Sequence, residues 1–246
     1  MGSKGGLRHL KRLPAPSYWP IHRKETTWAP KPNAGAHRSL SCLPLGVIIR
    51  DALGIAKTRR EVVRILSHGK VKVDGRTRYD GNYPVGLMDV VELADANIAY
   101  RVLPIERQGL SIIRIPKDEA KFKLCKVLTK TTAPKGLVQF GVHDGRSVTM
   151  PKATGDIPFA TNDTLRVSIP MQRVLSHMKF EKGNLALVVA GRNAGKNGKI
   201  VGLQGGTATR PSMVTIEDQT GNKFDTIVDY TFVVGTDKPA IKLEAT

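Results

Sequence analysis

The stretch Gly191-Arg192-Asn193-Ala194-Gly195-Lys196-Asn197-Gly198-Lys199 decides how the C-terminal part of this 246-residue chain folds. An apolar run, Leu185–Val189, precedes it, and Val201 and Leu203 follow it. The pattern predicts two strands joined by a basic, glycine-rich loop. Glycine permits a positive φ and a close approach of the backbone to a polyanion. Because the loop also carries Lys196 and Lys199, we interpret it as a nucleic-acid contact that needs no catalytic group.

A nucleotide-binding phosphate loop is the first alternative for this stretch. It would require the pattern G-x-x-x-x-G-K-[ST] followed by a helix. Here the two glycines are one residue closer together, Asn197 replaces the hydroxyl residue, and β-type residues follow. These differences argue against ATP or GTP binding. The other alternative is an ordinary glycine-rich turn with solvated lysines, and the loop by itself does not decide between that turn and an RNA contact.

Charge and composition indicate a polyanionic partner. The chain has 39 Lys+Arg against 21 Asp+Glu, a formal net charge of +18, which favours RNA or DNA. Its apolar runs are too short to span a membrane, and the N-terminus lacks a signal-peptide pattern. Its two cysteines, Cys42 and Cys125, suggest neither a zinc site nor a disulfide framework. We expect a cytoplasmic protein with no cofactor, no metal, no small-molecule substrate and no membrane contact.

Residues 1–40 are predicted to form a basic, extended arm. Their prolines exclude a long helix, and their few apolar residues cannot build a separate core. We expect the arm to become ordered on a partner, with Trp19 and Trp28 docked on RNA or on the protein body. The alternative is a disordered tail whose tryptophans only cover the core. The predicted RNA-binding cations of the arm are Arg8, Lys11, Arg12, Arg23, Lys24, Lys31 and Arg38.

Residues 43–105 predict two helices followed by a β-hairpin. Helical spacing places five apolar residues on one face of the first helix: Leu45, Ile48, Ile49, Ala52 and Leu53. Thr58 and Glu61 form a capping box for the second helix, which Gly69 ends. Asp74-Gly75 predicts a tight turn between two short strands, and Val90–Leu93 predicts a third strand.

Two arginines, Arg59 and Arg60, open the second helix. Cations there oppose the helix dipole by roughly 0.3–1 kcal/mol each, whereas a phosphate would be favoured by free N–H groups and by both arginines. The alternative is that both side chains are simply solvated. The other RNA-binding residues predicted in this unit are Arg64, His68, Lys70, Lys72, Arg76 and Arg78, and those of the C-terminal loop are Gly191, Arg192, Gly195, Lys196 and Lys199.

The rest of the chain predicts two small β-domains. Residues 106–175 contain the β-type runs Ser111–Ile115, Leu124–Leu128, Leu137–Val142, Ser147–Met150 and Leu165–Ile169. A basic cluster in this part is interpreted either as an RNA face or as a solubilising surface: Lys117, Lys121, Lys123 and Lys126. Residues 176–246 carry five short strands that suggest an SH3-like barrel. The predicted fold class is α+β and multidomain: arm 1–40, helical module 43–105, central β-domain 106–175 and C-terminal barrel 176–246.

Two motifs connect the chain to a known family. Residues 43–93 resemble the alpha-L RNA-binding module, above all in His68-Gly69-Lys70-Val71-Lys72-Val73-Asp74-Gly75-Arg76, and residues 183–203 resemble the KOW motif. With both motifs in this order, and with His9-Leu10-Lys11-Arg12 and Tyr83–Val90, the whole chain resembles the archaeal and eukaryotic small-ribosomal-subunit "four-e" protein family. Eukaryotic members usually continue with a basic tail, so an end at Thr246 predicts an archaeal-type member.

The resemblance implies a structural protein of the cytoplasmic small ribosomal subunit. Such a protein binds small-subunit rRNA through phosphate-backbone contacts, touches neighbouring small-subunit proteins and supports assembly and translation. The alternative is a KOW-containing RNA-binding translation or transcription factor that is not permanently in the ribosome, which would explain neither the alpha-L module nor the basic arm.

An RNA-modifying enzyme is the catalytic alternative, because pseudouridine synthases also carry an alpha-L module. They require an aspartate in a G-R-x-D context, and Gly75-Arg76-Thr77-Arg78 and Gly145-Arg146-Ser147-Val148 both lack it. Cys125 lies among lysines that could activate its thiol, but a buried strand position is the better interpretation. We therefore expect no enzymatic activity.

Overall fold

The computed structural model describes residues 9–106, 108–134, 136–151, 159–207 and 209–243. Within them the chain has few helices and many strands, all antiparallel, arranged as three five-stranded sheets and two two-stranded ribbons. The mixed α and β composition agrees with the predicted class.

The N-terminal arm packs against the body. Strand β1 (Leu10–Lys11) pairs with β2 (Trp28–Ala29). Trp19 is buried in a hydrophobic core that is formed by residues between positions 15 and 102. Its indole N–H donates to the carbonyl of Cys42 at 3.0 Å. Trp19 is therefore docked on the protein body, which is one of the two roles expected for the tryptophans. Trp28 remains 56% exposed.

The first predicted helix is shorter and more irregular than expected. After β3 (Cys42–Pro44) comes a single α-turn, α1 (Leu45–Val47), which continues as a π-helical turn over Ile48–Ala52. The wider π-turn, closed by the bond from Leu53 N–H to the Ile48 carbonyl at 2.9 Å, changes the helical spacing. The prediction of one buried face is thus right for Leu45, Ile48 and Ile49 but wrong for Ala52, which is exposed.

The second helix and the hairpin follow the prediction closely. Helix α2 (Arg59–Ser67) is followed by Gly69 at φ +69°. Strands β4 (Val71–Val73) and β5 (Arg76–Thr77) are joined by Asp74 at φ 50° and Gly75 at φ 73°, the two positive φ values of a type I′ turn.

The first sheet is completed by three longer strands. Strand β6 (Pro84–Gly86) pairs with β3, whereas β7 (Val90–Leu93), β8 (Ile98–Ile105) and β9 (Gly109–Ile115) extend the sheet in the order β5-β4-β7-β8-β9. Strand β9 follows the predicted boundary at residue 105 yet pairs along its whole length with β8.

The central sheet follows the short helix α3 (Lys117–Ala120). Its strands are β10 (Phe122–Ala133), β11 (Leu137–Val142), β12 (Ser147–Pro151), β13 (Thr164–Ser168) and β14 (Val174–Met178). They lie in the order β12-β11-β10-β13-β14. The unpredicted strand β14 runs across the expected boundary at residue 175, because it pairs with β13. The sheets thus divide the chain differently from the predicted domain limits.

The C-terminal sheet contains the strand–loop–strand unit expected from the glycine-rich stretch. Its strands are β15 (Leu185–Val188), β16 (Asn197–Gln204), β17 (Met213–Glu217), β18 (Lys223–Ile227) and β19 (Thr231–Gly235), in the order β18-β17-β16-β15-β19. A 3-10 turn at Val228–Tyr230 precedes β19.

One hydrophobic core joins the three sheets. It includes Leu103 and Ile113 from the first sheet, Leu124 from the central sheet, and Leu187 and Phe232 from the C-terminal sheet. This shared core fixes the three sheets relative to one another.

Candidate nucleic-acid interface

The start of helix α2 is already capped by the chain itself. Thr58 Oγ1 accepts from Glu61 N–H at 3.3 Å, and Glu61 Oε2 accepts from Lys57 N–H at 2.8 Å. The hydrogen bond from Lys57 N–H, followed by hydrogen bonding of the Thr58 side chain to the carboxylate, lowers the pKa of Glu61. The Glu61 carboxylate therefore occupies part of the helix start where we predicted a phosphate. An RNA phosphate at this end of the helix would be bound by the charge of the arginines.

Arg59 and Arg60 are well placed to supply that charge. Both side chains are exposed, and within the described residues neither forms an ion pair with a carboxylate. Both lie in the first turn of α2, beside the positive end of the helix dipole. The structure keeps both as candidate phosphate ligands.

The other cations predicted around the hairpin differ in their exposure and in whether they already bind other side chains of the protein. Arg64, His68 and Arg76 are exposed, and Lys72 is half-buried. Lys70 is exposed but forms an ion pair with Asp95. Arg78 is half-buried, with its guanidinium carbon 4.2 Å from the centre of the Tyr83 ring and a hydrogen bond to the Tyr83 hydroxyl at 3.2 Å.

Two arm arginines bind carbonyl groups of the arm itself, contacts that the prediction of RNA ligands did not include. Arg12 is only 6% exposed and donates to the carbonyls of Trp28 and His22 and to the Glu25 carboxylate. Arg23 donates to the carbonyls of Leu13 at 2.8 Å and Pro16 at 3.2 Å. Guanidinium groups have five donors, and here they satisfy carbonyls of the arm, in which strands β1 and β2 are two residues long each.

The remaining arm cations keep their predicted role open. Lys11, Lys24 and Arg38 are exposed, and Lys31 is half-buried beside an open groove. Arg8 lies outside the described residues.

The C-terminal loop has the expected backbone conformation but a different close contact. Gly191 and Gly195 have φ of +86° and +90°. A Cβ atom on Gly195 would lie 2.2 Å from the backbone nitrogen of Glu106, at the end of β8. The close approach that we predicted between Gly195 and RNA is thus made within the protein.

The cations of this loop are not equivalent. Arg192 and Lys199 are exposed, whereas Lys196 is half-buried with its ammonium 5.3 Å from the centre of the Phe224 ring. The exposed residues of the loop, including Gly191, remain available to a partner, although a Cβ atom added at Gly191 would lie 3.3 Å from the Tyr230 ring.

The central lysine cluster is neither wholly an RNA face nor a solubilising surface. Lys117 and Lys121 are exposed, but Lys123 and Lys126 are buried. Lys123 Nζ contacts Asp74 at 3.0 Å, Asp144 at 3.0 Å and Asp89. Burial opposes its charge, but the three carboxylates outweigh burial and raise the pKa of Lys123 well above its usual value. No local pattern in the sequence indicates this cluster.

Lys126 connects the central and C-terminal sheets. Its ammonium donates to the carbonyls of Val228 at 2.9 Å, Asp229 at 3.1 Å and Thr231 at 2.8 Å. Burial lowers the pKa of Lys126 to about 8. This lysine therefore holds two sheets together and is not available to RNA.

The chemistry of an enzyme finds little support among the described residues. Cys125 is 1% exposed in strand β10, so the interpretation as a buried strand thiol is confirmed, and burial raises the pKa of this thiol far above the usual value. In the described part of the chain, no group of His, Cys, Asp and Glu side chains could hold a metal ion. The helices described there are all too short or too polar to cross a membrane.

Three family profiles match the chain: the RS4NT (NUC023) domain at residues 4–39, the S4 domain at 45–91 and ribosomal family S4e at 96–174. The small ribosomal subunit protein eS4 of Staphylothermus marinus is 46% identical over 99% of this chain and 98% of its own length. This chain belongs to the S4e family of ribosomal proteins. The eS4 protein of Methanocaldococcus jannaschii is 44% identical over 99% of this chain and 100% of its own length.

A solved structure supports the same assignment. The crystal structure of the 30S ribosomal protein S4e from Thermoplasma acidophilum is 34% identical, with a TM-score of 0.65 over 78% of this chain and 94% of that chain. The S4-domain match runs from α1 into the first half of β7 and includes α2 with its exposed arginines. The predicted membership in this ribosomal family is confirmed.

Proposed function

We propose that this S4e-family protein is a structural, non-enzymatic constituent of the small ribosomal subunit. It binds small-subunit rRNA mainly through phosphate-backbone contacts, lies against neighbouring small-subunit proteins in the cytoplasmic ribosome, and supports assembly and translation. The observation that carries this proposal is full-length similarity to proteins named small ribosomal subunit protein eS4. The exposed cations on α2 and around the hairpin supply the matching electrostatics.

The proposed RNA-binding set is narrower than the one predicted from sequence. It excludes Arg12 and Arg23, whose guanidiniums bind arm carbonyls, and Gly195, which packs on β8. The exposed cations that remain are Lys11, Lys24, Arg38, Arg59, Arg60, Arg64, Lys70, Arg76, Arg192 and Lys199, together with His68. Contacts of this kind position a protein on RNA without reading base identity.

The finer layout is also a proposal. We assign residues 176–246 to a KOW-type, SH3-like barrel, residues 43–105 to the alpha-L module, and residues 1–40 and 106–175 to the arm and the central β-domain. The five antiparallel strands β15–β19 and the basic loop between β15 and β16 support the first assignment. The pairing of β9 with β8 favours moving the end of the second unit from residue 105 to residue 115.

Sedimentation tests the function directly. Tagged protein expressed in an archaeal host should migrate with small ribosomal subunits and stay with them through a high-salt wash, because a ribosomal constituent makes many phosphate contacts at once. Release of all the protein by moderate salt, with free subunits still active in translation, would favour the alternative of a factor that visits the ribosome.

A further inference from the structure

The N-terminal arm and the start of α2 enclose an open groove of about 800 Å³. Its lining includes Trp28, His9, Lys31, Arg50 and Arg59, and none of the described residues that line it is acidic. Basic walls of this kind concentrate an anionic ligand.

Trp28 makes this groove unusual. It is one of two tryptophans in the chain; Trp19 is 3% exposed, whereas Trp28 is 56% exposed. The pairing of β1 with β2 holds its backbone, with Trp28 opposite Lys11. The His9 ring lies 5.5 Å away between ring centres and is tilted by 52°. The exposed part of the indole is therefore a fixed aromatic surface beside cations.

Arg59 places a phosphate ligand in the same groove. It is exposed and lacks a carboxylate partner among the described residues, whereas Arg50 is held by Asp51 at 2.8 and 3.0 Å. A smaller cavity of about 130 Å³ shares Arg59 and Arg50 and extends the groove to Tyr79, which is 66% exposed. Asp80 lines that extension but is engaged by Asn33 Nδ2 at 2.6 Å and by Asn82 N–H at 2.9 Å.

We propose that this groove binds an unpaired stretch of RNA, with one base stacked on Trp28 and an adjoining phosphate at Arg59. The inference rests on the proposed binding of rRNA and names the form of RNA bound here. A duplex hides its base faces in the stack, whereas a loop or bulge can present them to an aromatic side chain. Stacking of this kind tolerates any base, because every base has a π-face.

Intrinsic fluorescence and affinity test the proposal on the full chain. The probes are a short unstructured oligouridylate and an RNA duplex of matched length. The variants are Trp28→Phe, which keeps an aromatic face, and Trp28→Leu, which keeps only apolar bulk. The oligouridylate should quench the tryptophan emission of the unmodified protein, and Trp28→Phe should lose that quenching yet bind almost as tightly. Trp28→Leu should bind the oligouridylate about 5- to 150-fold more weakly.

Each outcome has a defined meaning. Because Trp28 is more than half exposed, both variants should keep the thermal midpoint of the unmodified protein, which separates binding from folding. Equal affinities of the Leu and Phe variants, or equal quenching by the duplex, would overturn the inference and would assign the groove to a neighbouring protein instead. The affinity of the unmodified protein for whole small-subunit rRNA is measured in parallel. If the unmodified protein did not bind that rRNA, the result would contradict the proposed function.

Discussion

A single lysine shows how a basic protein uses its charge internally. Lys123 has no exposed surface and lies among Asp74, Asp89 and Asp144, with Arg146 contacting Asp74 and bonding to Asp144 at 3.1 Å. Burial raises the cost of each carboxylate charge, but Lys123 and His37 outweigh it at Asp89 and keep the pKa of that carboxyl well below its usual value. The cluster joins the turn after β4, the start of β7 and the central sheet.

Removal of this cation should destabilise the fold strongly. Lys123→Met keeps the side-chain length but leaves three buried carboxylates short of positive charge, and breaking a buried ion pair in this way costs about 3–5 kcal/mol. The matched control is Lys121→Met, two residues earlier, where an exposed ion pair with Asp118 is lost. We expect urea denaturation at neutral pH to show a large loss for Lys123→Met and almost none for the control. Similar losses would mean that the buried cluster is not a stabilising unit.

His143 should make the stability depend on mildly acidic pH. Its Nδ1 accepts from Lys126 N–H and its Nε2 donates to the Leu87 carbonyl, both at 3.2 Å, an arrangement that only the neutral ring satisfies. Burial, reinforced by the charge of Lys123, lowers the pKa of His143 to about 4. The unfolded chain, with a pKa near 6.5, takes up this proton first as the pH falls.

The sign of the effect follows from that order. The stability supplied by neutral His143 is complete above about pH 6.5 and is lost as the pH falls to about 4, by on the order of 3 kcal/mol. His143→Gln, which can donate and accept without titrating, should give a flatter curve of unfolding free energy over the same range. Parallel curves would show that the histidine is protonated equally easily in both states.

At the scale of elements, Gly195 tests whether the C-terminal loop is held by protein or by RNA. Gly195 at φ +90° and Gly183 at φ +94° have nearly the same positive φ. Only Gly195 faces another segment: a Cβ atom added there would lie 2.2 Å from Glu106 N, while one added at Gly183 would meet open space. Alanine at a left-handed position costs about 1–2 kcal/mol. Gly183→Ala should cost that amount, and Gly195→Ala clearly more, as measured by thermal unfolding.

The opposite result would also be informative. If both variants were equally stable and Gly195→Ala alone lost affinity for rRNA, the loop backbone would have to touch RNA directly. That outcome would restore the contact predicted from the sequence.

Elements set by local signals were predictable, and those set by distant partners were not. Thr58, Glu61 and Gly69 fixed the ends of α2 because capping acts within a few residues. Asp74-Gly75 likewise fixed its turn. By contrast, the burial of Lys123 depends on Asp74 and Asp89, which are 49 and 34 residues away. The same reason explains why the internal contacts of Arg12 and Gly195 were missed: their partners lie at least 10 residues away along the chain, and spacing does not reveal them.

At the scale of the whole molecule, two groups of cations lie at opposite extremes of burial, with half-buried cations between them. One group, which includes Arg12, Arg101, Lys123 and Lys126, is buried and bonded to carboxylates or carbonyls of the chain. The other group is exposed on the arm, on α2 and at the C-terminal loop. Both groups contribute to the net charge of +18, but only the exposed group can exchange counterions with RNA.

This partition predicts the salt dependence of rRNA binding. Each phosphate neutralised contributes about −0.9 to the slope of log affinity against log salt for duplex nucleic acid, and about −0.7 for single strands. The unmodified protein should give a slope of several units. Replacing Arg59 and Arg60 together with Ala should weaken binding and reduce the magnitude of the slope by about 1–2, because both side chains are exposed without carboxylate partners in the described part of the chain.

Arg23→Gln is the control for this measurement, because it also removes an arginine charge, but one that already bonds to carbonyls of the arm. Its guanidinium donates to the Leu13 and Pro16 carbonyls, so the slope should stay unchanged even if the arm loosens slightly. The thermal midpoint of the Arg59→Ala, Arg60→Ala variant should stay the same or rise, because cations at a helix start oppose its dipole. A slope that changes with Arg23 and not with the arginines of α2 would place the phosphate contacts on the arm and remove α2 from the interface.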